Sequence, residues 1–270
     1  MSASRSWILF DETLIPDASL PVTDRGVRYG MSVFETIAVQ AGRAVFVREH
    51  MQRLGRASQA AEFIFPPRLT EARVDELAKD LPDGMLRVYI TAGDGAPTAS
   101  VEASRTFLNF EEMNFPEDSE YAQGWRVEVS RAPFPSILGG WKTGNYWPSV
   151  QALQEAKRNG CQEALVLNAQ GVVISASMGN FFFIRDGRVL TPPLSMGARD
   201  GAVRAWVQGQ IAVEETLLSP DELGALDECF ITNSRIGVMP VAALADRALP
   251  SQEQGRWLSK LYRESILIAR

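Results

Sequence analysis

The sequence predicts an α/β chain of the α+β kind, folded as two domains, and three observations carry that expectation. Its 270 residues suffice for two cores of modest size. Strand-like runs and helix-periodic runs are interleaved along the whole chain. A polar, aperiodic stretch, Asn114–Gly124, interrupts them with Pro116, Glu117, Asp118, Ser119, Glu120 and Gly124 and reads as a linker. The expected division is residues 1–115, a small α+β domain, then a linker at 116–124, then a larger α/β domain at 125–270.

In the first domain Trp7–Phe10 and Val33–Gln40 are predicted strands, with a turn at Ala41-Gly42 and Ala44–Val47 returning as a hairpin. Arg48–Phe63 carries Met51, Leu54, Ala57, Ser58 and Ala61 at helical spacing, and Pro66-Pro67 stops it. Thr70–Leu81 is a second amphipathic helix. Met85–Ala92 and Arg105–Glu111 are strands about the loop Gly93-Asp94-Gly95-Ala96-Pro97.

The second domain opens with the strand Trp125–Arg131 and a Pro/Gly-rich turn at Pro133–Gly140. A helix follows at Pro148–Asn159, with proline in its first turn and Gly160 as stop. Glu163–Asn168 reads as a strand, Ala169-Gln170-Gly171 as a turn, and Asn180–Ile184 with Arg188–Leu190 as a hairpin about Asp186-Gly187. Asp200–Gln208 is a short helix, Asp227–Asn233 a strand and Trp257–Ala269 a closing helix.

Composition narrows the function classes. Hydrophobic residues at 46% and a mean hydropathy of -0.08 describe a soluble globular chain, with no apolar run of membrane length and no signal segment at the N-terminus. A net charge of -6 speaks against a nucleic-acid surface. Cys161 and Cys229 lie far apart, without the spacing of a disulfide framework or a zinc site, so a cytoplasmic setting is expected. The one histidine, His50, is too few for a histidine metal site, and a helix-face or capping role is its ordinary reading. Neither G-x-G-x-x-G nor G-x-x-x-x-G-K-[ST] occurs.

Lysine remains, and there are four. Lys79, Lys157 and Lys260 lie on amphipathic helices among charged neighbours, where a solvated face explains them. Lys142 sits instead in Leu138-Gly139-Gly140-Trp141-Lys142-Thr143-Gly144-Asn145-Tyr146-Trp147, among glycines and aromatics with no acidic residue close in sequence. Apolar surroundings favour the neutral amine, which is what a Schiff-base lysine needs. A loop lysine reaching for water is the alternative from composition alone.

The run Asp24-Arg25-Gly26-Val27-Arg28-Tyr29-Gly30-Met31-Ser32-Val33-Phe34-Glu35-Thr36-Ile37 resembles the D-R-G-x-x-Y-G-x-x-V-F-E-x-I opening of the class-IV, fold type IV, pyridoxal-phosphate enzymes. These comprise branched-chain and D-amino-acid aminotransferases and 4-amino-4-deoxychorismate lyases. Arg48-Glu49-His50-Met51-Gln52-Arg53-Leu54 is similar to the family's arginine-bearing helix, Lys142 through Tyr146 to its K-x-x-N-Y segment, and Gly160–Leu167 to its G-x-x-E-A-L-x-L strand. Asn180–Ile184, Leu190–Leu194 and Phe230–Val241 match further blocks in order.

The resemblance implies a D-amino-acid-aminotransferase-like fold, pyridoxal 5′-phosphate as cofactor, and a homodimer acting on an amino acid and a 2-oxo acid. Lys142 would be the Schiff-base lysine. Arg53, the backbone N–H groups of Ala202 and Val203 and the Ser234 hydroxyl would hold the phosphate, and Tyr146 the phenolic oxygen. Tyr29, Phe34 and Arg87 fall at pocket positions. Arg87 could take a substrate carboxylate or simply pair with an acidic neighbour on its sheet.

Two departures stand out. Ser175 occupies the position where the family usually carries a glutamate for the pyridine nitrogen, and this should weaken the electron sink and slow transamination. The usual P-G-I-T-R block reads Asp200-Gly201-Ala202-Val203-Arg204, which places Asp200 near a phosphate. An aminotransferase acting on a small amino acid is the expectation. A lyase similar to 4-amino-4-deoxychorismate lyase and a non-catalytic cofactor-binding homologue are the alternatives.

Overall fold

A computed structural model describes residues 4–10, 13–17, 19–133 and 140–268. The chain divides into two compact units: Met1–Phe115 with Trp141–Asn145, and Pro116–Gly140 with Tyr146–Arg270.

The first unit is built on a six-stranded antiparallel sheet of β1 (Ser4–Phe10), β2 (Thr13–Pro16), β3 (Ser32–Gln40), β4 (Arg43–Ala44), β5 (Gly84–Thr91) and β6 (Arg105–Glu112), in the order β2-β1-β6-β5-β3-β4. Three helices accompany it: α1 (Arg25–Tyr29), α2 (Val47–Ala60) and α3 (Glu71–Ala78). Strand alternation decides the two faces. Val33, Ile37 and Val39 of β3, with Leu86, Val88 and Ile90 of β5, form a core with Met51, Leu54 and Ala57 of α2. Phe34 pairs with Tyr89, and Tyr89 with Phe107, so the opposite face carries a row of stacked rings at centroid separations of 4.9 and 4.4 Å.

The returning strand expected at Ala44–Val47 is shorter, Arg43–Ala44, because Phe46 takes a left-handed backbone (φ 53°) that turns the chain into α2. Helix α1 is not evident from the sequence. Five residues are too few to show a period, yet Asp24 caps it by accepting a hydrogen bond from the Gly26 N–H at 2.7 Å.

The second unit begins with α4 (Asp118–Gln123), inside the segment expected to be aperiodic; Tyr121 is buried there and donates from its hydroxyl to Ile236 O at 3.0 Å. One buried aromatic outweighed five exposed polar positions. The elements that follow are β7 (Trp125–Pro133), α5 (Trp147–Arg158), β8 (Glu163–Leu167), β9 (Val173–Ala176), β10 (Asn180–Arg185), β11 (Arg188–Thr191), α6 (Ala202–Gln210), β12 (Glu214–Glu215), β13 (Glu228–Asn233), β14 (Gly237–Leu244), β15 (Arg247–Ala248) and α7 (Glu253–Ile268). Residues 134–139 of the turn expected at Pro133–Gly140 lie outside the described residues.

The strands of this unit form a mixed sheet in the order β12-β11-β10-β13-β14-β7-β8-β9, with β15 on β14 and parallel pairing at β11–β12, β14–β7 and β7–β8. Asp186 and Gly187 both take positive φ, the requirement of the two-residue turn joining β10 to β11. Buried Glu228 of β13 accepts from the N–H groups of Gln254 and Gly255 and so satisfies the start of α7. Helix α6 starts at Ala202, two residues later than expected. Among the described residues no helix is long and apolar enough to cross a membrane.

Candidate active site

Lys142 joins the first unit through its backbone. Its carbonyl accepts from the Phe34 N–H at 2.9 Å, Gly144 N donates to Ser32 O at 2.9 Å, and Thr143 bridges Val33, so the segment runs antiparallel along the start of β3. This approach needs a glycine at 144, where a Cβ would overlap Ser32 Oγ. The half-buried Lys142 Nζ lies 4.5 Å from the centroid of the Phe34 ring. The other lysines are exposed: Lys79 pairs with Glu76, Lys260 with Glu264, and Lys157 closes α5.

Glu35, next to Phe34, points to the opposite face and faces α2. A carboxylate on that apolar face must be paired. Arg53 answers it with two parallel bonds, Nε to Oε1 at 2.6 Å and Nη2 to Oε2 at 2.5 Å, while His50 Nδ1 donates to Oε2 at 2.7 Å. Burial alone would raise the Glu35 pKa. The Arg53 charge and these hydrogen bonds outweigh it and hold the carboxyl well below its usual range. His50 is pushed the other way from a charged partner: burial lowers its pKa, and Arg53 and Lys142 add to that against the pull of Glu35. It is a core histidine, 1% exposed, rather than the helix-face or capping residue expected. Its carboxylate partner sits 15 residues upstream, beyond any local signal.

Arg87, opposite Thr36 in the register, lies on the Phe34 face and pairs with Glu111 at 3.0 Å, at partly exposed positions. Tyr29 ends α1, exposed, beneath the Arg28 guanidinium.

In the second unit the expected residues gather around the turn 176–180. Ser175, on β9, donates its hydroxyl to Gly179 O at 3.0 Å and also contacts Ala176 O. Asn180 Nδ2 donates to Arg199 O at 2.6 Å, and a Cβ at Gly201 would overlap Asn180 Oδ1. Asn233 Nδ2 donates to Met178 O, and Asn233 Oδ1 accepts from the N–H groups of Arg235 and Ile236, shaping the turn that carries Ser234. Ala202 and Val203 open α6, whose N-terminus has neither a side-chain cap nor an acidic residue in its first turn. Tyr146 stands at the N-terminal cap of α5, with the Arg199 guanidinium carbon 5.9 Å from its ring centroid.

Beneath this turn lies Glu163, to which the sequence assigns no role. It accepts from Ser177 Oγ, from Ala164 N at 2.8 Å and from Met178 N at 3.3 Å. Burial nevertheless raises its pKa against these hydrogen bonds, and among the described residues no cation is paired with it.

These groups have the chemistry a phosphorylated aldehyde cofactor asks for. They comprise an amine over an aromatic ring, a guanidinium aligned by a buried carboxylate, and a bare helix N-terminus reached through a glycine that only a missing Cβ permits. A two-sheet α/β chain carrying such a lysine fits the class of pyridoxal-phosphate enzymes.

The comparisons with known proteins specify it. The sequence profile described as Amino-transferase class IV matches residues 32–244, and the chain belongs to that family of pyridoxal-phosphate-dependent enzymes. The branched-chain-amino-acid aminotransferase of Escherichia coli (strain K12) is 29% identical over 253 residues, covering 84% of this chain and 81% of the relative. The aminodeoxychorismate lyase of Vibrio harveyi is 26% identical over 246 residues, covering 86% and 89%. The crystal structure of the branched-chain aminotransferase from the thermophilic archaeon Thermoproteus uzoniensis with norvaline shares the fold, with a TM-score of 0.83 at 24% identity, over 99% of this chain and 95% of that one.

Proposed function

We propose that this enzyme is an aminotransferase that moves the amino group of a small amino acid to a 2-oxo acid, with pyridoxal 5′-phosphate held by Lys142. The observation that carries the reading is the placement of Lys142 Nζ over Phe34, on a segment tied to β3 by backbone hydrogen bonds. Pre-positioning of this kind is what a group that must meet a reacting atom repeatedly requires.

Bound there, the cofactor supplies an electron sink for the amino acid's α-carbon. Lys142 Nζ would hold it and then carry the proton between α-carbon and cofactor. Arg53, kept in line by Glu35, would bind the phosphate together with the N–H groups of Ala202 and Val203 and the Ser234 hydroxyl. Tyr146 would orient the ring through its phenol. Ser175 already donates its single proton to backbone carbonyls, so it would offer a ring nitrogen only lone pairs and no charge, which supports slow transamination. Phe34 and Tyr29 would line the substrate pocket, and Arg87 could take a carboxylate only by releasing Glu111.

The likeness to the Vibrio harveyi lyase supports a second reading, elimination of pyruvate from an aminodeoxychorismate-like substrate by the same groups. The resemblance also supports a homodimer, which sedimentation of the purified chain tests.

The test is the visible absorption of the purified protein with pyridoxal phosphate, alongside Lys142→Ala, before and after a panel of D- and L-amino acids. A band that the variant lacks and that one class of amino acid shifts is expected. No band in the unmutated protein after adding cofactor sinks the reading.

A further inference from the structure

We infer that Arg199 is a binding residue for an oxyanion of the bound ligands, either the cofactor phosphate or the substrate carboxylate. The inference rests on the proposed reading of the site but assigns a residue that the reading does not use.

Its ground is an unsatisfied cation. Arg199 is half-buried, its Nε is buried without a hydrogen-bond partner, and among the described residues its side chain makes no ion pair. Two other arginines of the same unit have a carboxylate partner, although Arg204 Nε is likewise left without a hydrogen bond. Arg204 pairs with Glu215 at 2.6 Å, and Arg185 with Glu222 at 2.7 Å. A guanidinium desolvated on one side and unmatched costs stability unless a ligand completes it.

Position says which kind of ligand. The Arg199 carbonyl is held by Asn180 Nδ2 at 2.6 Å, and its guanidinium faces the Tyr146 ring. Shortly beyond it α6 begins, at Ala202, without a side-chain cap. A second orphan supports the same place. Thr232 Oγ1, 1% exposed by residue, has no hydrogen-bond partner, and Thr232 is the cross-strand partner of Asn180, so the two side chains share a face of the sheet. A planar cation, a bare helix start and an unused hydroxyl around one asparagine match an oxyanion with several acceptor oxygens.

The test uses the reconstituted holoenzyme, with Arg199→Gln and the charge-conserving Arg199→Lys; neither alters the backbone carbonyl that Asn180 holds. Two affinities are read. The first is that of the apo-chain for pyridoxal phosphate, with inorganic phosphate as competitor. The second is that of the holoenzyme for an amino acid and for the amine with the same side chain but no carboxylate, by the spectral shift each produces. Arg199→Gln is expected to weaken one of them at least tenfold, with partial recovery in Arg199→Lys. Weaker cofactor binding that phosphate competes for less well assigns the phosphate; weaker binding of the amino acid with the amine unaffected assigns the carboxylate. Affinities within twofold of the unmutated protein in both arms, or equal losses for amino acid and amine with cofactor binding intact, overturn the inference. A cofactor band in the unmutated protein that Lys142→Ala lacks shows that the underlying reading stands whichever way Arg199 falls.

Discussion

The two units treat their buried polar groups in opposite ways. In the first, among the described residues, no buried side-chain polar atom lacks a hydrogen bond: Glu35, His50 and Arg53 complete one another, and the buried Arg25 guanidinium donates to the carbonyls of Ala92, Gly93, Ala96 and Ala99. In the second, among the described residues, Arg199 Nε and Thr232 Oγ1 are left over beside an uncapped helix, Trp125 Nε1, Arg204 Nε, Gln252 Oε1 and Ser259 Oγ also lack partners, and Glu163 is buried with no cation. The difference teaches where binding energy is stored. A closed network fixes a group in place before a ligand arrives, and an open one is completed by the ligand.

The largest effect expected from breaking this comparison is at Lys142, the group the closed unit presents. Lys142→Ala should lower amine transfer by about 10³-fold or more, on the scale of a lost proton-transferring group, while thermal melting stays near that of the parent. Activity within tenfold of the parent would contradict the assignment.

Next is the closed network itself. Glu35→Gln removes the carboxylate and leaves the Arg53 guanidinium, 12% exposed, without its counter-charge. A loss of about 3 kcal/mol in urea unfolding is expected, accompanied by weaker cofactor retention. Gly201→Ala probes the open side; the new Cβ must displace the Asn180 amide, and such overpacking costs about 1–3 kcal/mol. Its signature is weaker cofactor binding than that stability loss explains, because the α6 N–H groups move with the turn.

The two buried glutamates sharpen the contrast through pH. The Glu35 pKa is depressed in the fold, so its contribution to stability is present above the ordinary value of 4.5 and is lost on acidification below it. His50 is also depressed, so stability falls as pH drops below 6.5, where the unfolded chain takes up a proton that the fold does not. The Glu163 pKa is raised, and the sign reverses: its contribution is full below 4.5 and is lost as pH rises through that value toward the folded one. Urea midpoints between pH 4 and 8 read these slopes. Glu163→Gln should remove only the component that declines as pH rises, and an unchanged profile in that variant would refute the raised pKa. Smallest is Ser175→Ala, which deletes the bond to Gly179 O and should cost about 1 kcal/mol.

Much of this was legible in the chain because the signals are local. The period of Met51, Leu54 and Ala57 marks α2, Asp186-Gly187 marks a hairpin turn, and Lys142 stood out by the absence of charge around it. Short or mixed segments were not. Helix α4 hangs on Tyr121 reaching Ile236, 115 residues away, and α1 has only five residues. The proposed site residues show the same divide. The positions of Arg53 and Tyr146 follow from an ordered likeness of motifs, whereas Arg199 lies in no motif and Glu163, although it is the glutamate of the G-x-x-E-A-L-x-L match, is singled out by its surroundings.

The sequence by itself therefore determined which residues could do chemistry, since residue type and spacing are properties of the chain. It determined both hydrophobic faces of β3 as well, through alternation, and with them the placement of Phe34 and Glu35 on opposite sides. Only the tertiary structure decided the electrostatic state of these groups. Whether a carboxyl is held ionised like Glu35 or pushed toward its neutral form like Glu163 depends on whether a guanidinium from a distant element reaches it, and that is set by register and burial rather than by neighbours in sequence.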